Sequence, residues 1–167
     1  MVAFALWPQA VLRRPARPVE GVDDSVLAVW REMLGAMYDT PGIVGLAAPQ
    51  LGHSVRLAVL DCSDTRAEPV RLANPEIIWV SAESAMREEA SPHVPGLAAR
   101  IARPAEVRVR FMNETGATME CQFDGLWATS AQHQIDHLDG RMFFDRLSRL
   151  KRDRLLAKHA KQRRRAG

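Results

Sequence analysis

Strand-like and helix-like patterning occupy separate parts of this chain, and that separation is the strongest constraint on its fold. VRLAVL at 55–60, EIIWV at 76–80, EVRVRFM at 106–112 and ATMECQF at 117–123 read as strands, rich in β-branched and aromatic residues and bounded by turn formers. Asn113 to Gly116, NETG, supplies a hairpin turn between the last two. Helical spacing belongs to the flanks. Asp23 or Asp24 caps a helix to about Tyr38 in which Val26, Val29, Trp30, Met33 and Met37 form one buried stripe. Asp124 is expected to cap a helix through about Leu138, and Ser148 a final one, RLKRDRLLAKHAKQRRR. TPGIVGLAAPQLG at 40–52 reads as a turn into extended chain, and Pro8, Pro15 and Pro18 predict an extended arm lying on the surface. Strands in the middle with helices at both ends argue for an α+β fold.

At 167 residues, 47% hydrophobic and 26% charged, the chain fits one ordinary globular domain. No apolar stretch approaches the roughly 20 residues of a transmembrane helix, and the opening MVAFALWP lacks the basic start and small-residue cleavage site of a secretory leader. Cys62 and Cys121 make no disulfide framework, so buried free thiols in a reducing, cytoplasmic setting are expected. The formal charge of +3 hides an uneven distribution: from Arg141 onward eleven Lys or Arg residues face only Asp145 and Asp153, about +9, which leaves about −6 for the rest.

Residues 132–140, QHQIDHLDG, place His133 and His137 one helical turn apart on one face, the spacing that lets two imidazoles share a metal ion. In hydrolases built on H-E-x-x-H, a glutamate after the first histidine carries protons for a metal-bound water. Here that position is Gln134, close to glutamate in shape but unable to exchange a proton at neutral pH. Taken alone, such a histidine pair is also compatible with two unrelated surface or core residues.

Four segments in order, WPQAVLRRPARPVE at the start, GLAAPQLG at 45–52, EEASPHVPG at 88–96 and QHQIDHLDG, together resemble peptide deformylase over nearly the whole chain. The resemblance implies small antiparallel sheets around a central helix carrying H-x-x-D-H, plus a C-terminal helix; residues 1–150 would form the domain, with 151–167 its basic helix or tail. It also implies a metal-dependent hydrolase, iron or zinc, that removes the formyl group from N-formylmethionyl peptides. Three motifs define the family: G-x-G-x-A-A-x-Q, E-G-C-x-S and Q-H-E-x-D-H. Gln50 matches the oxyanion-stabilising glutamine and Gly45 the second glycine, whereas the first falls on Ile43. Glu89 matches the glutamate, and Gly45, Leu46 and Glu89 would border the substrate cleft. The cysteine ligand falls on Ser91 and the next two residues on Pro92 and His93.

Each departure carries a chemical cost. A serine hydroxyl ligates divalent metals poorly beside a thiolate, and Pro92 has no N–H to give an oxyanion. Losing one oxyanion donor costs roughly 3–4 kcal/mol, and losing a general base about a hundredfold to ten-thousandfold in rate. The leading expectation is therefore a deformylase-like protein with activity lost or strongly impaired, binding nascent N-termini or the ribosome. The alternative is an active hydrolase rebuilt on His93, His133 and His137, His93 projecting to the same side as Ser91 in extended chain. Asp136 is expected to have a structural role or to orient a histidine. Lys151, Arg152, Arg154, Lys158, Lys161, Arg163, Arg164 and Arg165 read either as a solvated helix face or, by the resemblance, as a contact for ribosomal RNA; no membrane partner is expected.

Overall fold

The structure, a computed structural model, describes residues 3–166, so Met1 and Val2 of the segment tested for a leader, and Gly167, lie outside it. Helix α1 spans Asp24–Asp39, and its Asp23 cap accepts the Val26 N–H at 3.0 Å. Val26, Trp30, Met33 and Met37 are buried as the spacing predicts, joined by Ala36, while Val29 sits at the margin of the stripe. That stripe packs on β1 (Gly45–Ala47) and β2 (Leu57–Leu60), and the Trp30 indole donates to the Ala58 carbonyl at 3.2 Å. With β3 (Val70–Val80), β6 (Glu106–Met112) and β7 (Thr118–Asp124), these strands form an antiparallel sheet in the order β1-β2-β3-β6-β7. A second antiparallel pair joins β4 (Ser84–Ala90) to β5 (Ala98–Pro104).

Helix α2, Gly125–Leu138, lies against the large sheet, with Ala128, Ala131, Ile135 and Leu138 packed on Leu60, Leu72, Val109 and Phe123. From Ala128 to Leu138 every residue is buried, including five polar or ionisable ones between Gln132 and His137. A helix buried all round can keep such side chains only if most find partners inside the protein. Asp124 precedes α2 as the last residue of β7, and its carboxylate makes no capping bond, contrary to expectation. Helix α3, Arg149–Ala166, begins after Ser148, whose hydroxyl accepts the Lys151 N–H at 3.5 Å. Its Leu155 and Leu156 pack on a cluster that includes Leu12, Val94, Phe143 and Phe144.

Three parts of the fold differ from the sequence expectation for physical reasons. First, β3 starts earlier than Glu76, because Asn74 (φ 50°) and Pro75 sit at a register shift that lets the strand pass a proline. The Asn74 amide satisfies the local backbone through Val19, at 2.8 and 2.9 Å. Second, the β4–β5 hairpin carries little apolar alternation, because its inward side chains include an ion pair, Glu89 and Arg103. Third, the N-terminal arm is partly interior: Ala5, Leu12 and Ala16 are buried, a 3-10 turn forms at Ala10–Arg13, and the Ala5 and Trp7 N–H groups donate to the Gln50 and His93 carbonyls, both at 2.9 Å.

Arg103 is fully enclosed and bonds Glu89 at 2.5 and 2.9 Å and Asp136 at 2.8 Å, so one guanidinium ties the hairpin to α2. Asp136 also receives Arg146 at 2.6 and 2.8 Å. Removing the guanidinium leaves two carboxylates buried with too little positive charge. Urea unfolding of Arg103→Met is expected to show a loss of about 3–5 kcal/mol. A loss under about 1 kcal/mol would mean that the hairpin does not depend on this pair.

Candidate active site

A cleft of about 300 Å³ opens between α2, the chain leading into β1 and the end of β4, and its walls include Ile43, Gly45, Gln50, Pro92, His133 and Gln134. At Gly45 a Cβ would stand 2.5 Å from Ser130 Oγ and 3.0 Å from Gln134 Nε2, so a larger residue there would displace the Ser130 hydroxyl and crowd Gln134. Leu46 turns the other way, into the core beside Trp30 and Leu57, and does not line the cleft. Glu89 touches the cleft, but its carboxylate is directed at Arg103 and at His133 Nδ1, 2.8 Å away. Burial alone would raise its pKa; Arg103 and His133 outweigh that and hold it at about 2. Glu89 is thus the residue that orients His133. Asp136, expected to have a structural role or to orient a histidine, has the structural one: it binds Arg103 and Arg146.

The partners of the three histidines decide which ring nitrogens carry protons. His133 Nδ1 faces the Glu89 carboxylate, so it bears the hydrogen and leaves a lone pair on Nε2. His93 Nδ1 faces the Ala5 carbonyl at 2.5 Å, which leaves its Nε2 a lone pair too. Gln50 Oε1 accepts the Ala47 N–H at 2.7 Å, which fixes the amide so that its NH₂ meets His93 Nε2 at 2.5 Å and His137 Nε2 at 3.2 Å. His137 Nε2 lies 3.1 Å from His133 Nε2. With a hydrogen on His137 Nε2, that hydrogen opposes the Gln50 N–H; without one, two lone pairs face each other. Burial holds His137 neutral, its pKa pushed well below the ordinary histidine range, and the charge of Arg103 acts in the same direction.

A divalent cation accepting both lone pairs removes this conflict. Two imidazole nitrogens on a tetrahedral ion stand about 3.3 Å apart, close to the observed spacing. The donor set therefore fits a metal through His133 and His137; Ser91, at the family's cysteine position, has a buried hydroxyl without a partner and supplies no anionic ligand. Among the described residues, no group of three or more His, Cys, Asp or Glu is arranged to hold an ion. Both nitrogens of His93 are engaged within the protein, by the Ala5 carbonyl and the Gln50 amide. Gln134 lines the cleft where a proton carrier would sit, and its Oε1 is buried without a partner. Cys62 and Cys121 are both free and only partly buried, and burial pushes the Cys62 thiol up to about 11.

A helix-borne histidine pair beside a buried glutamine, on an α+β frame with a C-terminal helix, is the arrangement of a candidate metal-hydrolase site. The chain belongs to the peptide deformylase family: the family model for polypeptide deformylase matches residues 1–153. Peptide deformylases from Bartonella tribocorum and Methylocella silvestris are 42% and 45% identical to it, covering 97% and 93% of this chain and 93% and 82% of their own. The crystal structure of a peptide deformylase from Legionella pneumophila superposes with a TM-score of 0.89 at 37% identity, covering 98% of this chain and 96% of that one. The α+β deformylase fold expected from the sequence is thereby established. These matches favour the expectation of an active hydrolase over that of lost activity, and the case for a lowered rate rests on Ser91, Pro92 and Gln134 alone.

Sequence inspection missed Arg103, Arg146 and the Ala5 carbonyl as supports of the site. Arg103 carried a signal, an arginine following Ile101 in alternation, but its strand was not recognised. Zinc titration is expected to show His137→Ala losing at least about tenfold in affinity, and His93→Ala changing by less than about threefold. Equal losses would place His93 in the ligand set.

Proposed function

We propose that this chain hydrolyses the formamide bond of N-formylmethionyl peptides as a metal-dependent enzyme of low turnover. The observation that carries the proposal is the pair of facing Nε2 atoms, 3.1 Å apart beside the Gln50 amide. When bound, a divalent ion would supply Lewis-acid polarisation and a more acidic water. The chain's own residues do the rest. Strand β1 is the edge of its sheet and β4 pairs only with β5, and the chain entering β1 and the end of β4 both wall the cleft. An extended N-terminal peptide fits between such edges by backbone pairing.

At the reacting carbonyl, Gln50 donates an N–H, but the other is held by His93. Pro92 offers none, which removes about 3 kcal/mol of oxyanion stabilisation. Gln134 can orient a water through its amide but cannot take its proton, which costs about a hundredfold or more. Ser91 leaves the histidine pair without an anionic companion, so the ion is held less tightly. These effects slow the reaction together and need not add.

Assay of a formyl-methionyl tripeptide with iron-, nickel- or zinc-loaded protein is the direct test. The unmodified chain is expected to turn over at least about a hundredfold more slowly than a Ser91→Cys, Gln134→Glu double variant. Equal rates would end the claim of attenuation, and no turnover by either protein would end the deformylase proposal.

The basic face of α3 is proposed to meet ribosomal RNA, supported by its concentration of exposed Arg and Lys. Charge reversal at Lys158, Arg164 and Arg165 is expected to abolish co-sedimentation with ribosomes at low salt; unchanged sedimentation removes this partner. No helix among the described residues is long and apolar enough to cross a membrane.

A further inference from the structure

A second cavity of about 260 Å³, bordered by His93, lies between the N-terminal arm and α3. Its apolar walls are Leu6, Trp7 and Pro95; its polar walls are His93, His159, Gln162 and Arg163. His159 is the informative member. Its side chain is 94% buried, yet neither ring nitrogen has a hydrogen-bond partner in the protein. Leaving such groups unmade is costly, roughly 1–3 kcal/mol for each buried donor or acceptor. Burial, reinforced by the charge of Arg163, lowers the pKa of the ring, so near neutral pH it presents one N–H donor and one lone pair. Arg163 reaches over the opening, where one of its nitrogens donates to the Trp7 carbonyl at 3.3 Å. A buried imidazole N–H and a guanidinium at one end of an otherwise apolar cavity are complementary to a carboxylate attached to a hydrocarbon body.

We infer that this cavity is a binding site for a small apolar monocarboxylate, such as a short aliphatic or arylacetic acid. Its carboxylate meets His159 and Arg163, and its hydrocarbon body lies along Leu6, Trp7 and Pro95. The volume is at the small end for ligand sites, which excludes bulky multi-ring acids. The site is separate from the proposed peptide cleft, but His93, which borders the cavity, bonds through its Nε2 to Gln50 in the cleft wall. The Trp7 N–H also bonds the His93 carbonyl, so an occupant pressing on Trp7 acts on the residue that holds the Gln50 amide. None of this requires deformylation to occur, so the test below stands whatever the outcome of the activity assay.

The experiment is an NMR titration of the full chain with hexanoate and with phenylacetate, each beside 1-hexanol as the uncharged probe. The Trp7 indole and His159 ring signals are expected to shift with a dissociation constant below about 1 mM for the acids, at least about tenfold tighter than for the alcohol. Arg163→Ala and His159→Leu are each expected to weaken acid binding about tenfold. Arg163 is exposed, so its variant keeps the test decisive even where His159→Leu disturbs packing. No shift at Trp7 and His159 up to about 10 mM, equal affinity for acid and alcohol, or an Arg163→Ala variant that binds like the parent would each overturn the inference.

Discussion

One guanidinium organises this molecule. Arg103, enclosed by protein, links Glu89 on one strand to Asp136 on the central helix, and through Glu89 it sets the hydrogen on His133 Nδ1. A charge so deeply placed is tolerable only because each of its partners is fixed by a further contact, Asp136 by Arg146 and Glu89 by His133. The network therefore does two jobs. It joins the small hairpin to the rest of the fold, and it aims a histidine lone pair at the point where His137 also presents its Nε2. The residues that support the histidine pair are thus all in place.

Two departures from the family motifs share one electrostatic direction. Relative to the motifs of the family, a thiolate has become the Ser91 hydroxyl and a carboxylate has become the Gln134 amide, so two anionic groups have become neutral at the place where a dication would sit. Their shapes are nearly retained, which is why the fold is unaffected. The supports Glu89, Arg103 and Asp136 keep their charges. A site that loses anionic donors while keeping its supporting charges holds a metal less strongly without losing its geometry.

The parts of the structure that were legible in the sequence are those governed by apolar periodicity. Helix α1, the strands at 55–60, 106–112 and 117–123 and the histidine pair on α2 follow from spacing alone, because burial of hydrocarbon imposes a regular repeat. What escaped is held by polar contacts, which leave no periodic trace. The β4–β5 hairpin turns Glu89 and Arg103 inward, so it reads as surface; β3 passes a proline through a shift braced by Asn74; and the arm is drawn inside by two backbone bonds to Gln50 and His93. The position of His93 shows the limit most clearly. Its offset from Ser91 pointed to the ligand side of the chain, but the carbonyl that captures its ring belongs to Ala5, far away in sequence.

The hairpin's attachment through charges also shapes how the molecule moves. Units that bury little hydrocarbon are the first to open under native conditions, and β4–β5 meets that description, with Glu89, Ile101 and Arg103 as its inward anchors. Detachment would take Glu89 from His133, free the imidazole to exchange its tautomer, and take Ala90 and Pro92 from the cleft wall together. Opening of this hairpin would thus couple cleft width, the tautomer of His133 and the burial of Arg103, because Glu89 holds both His133 and Arg103.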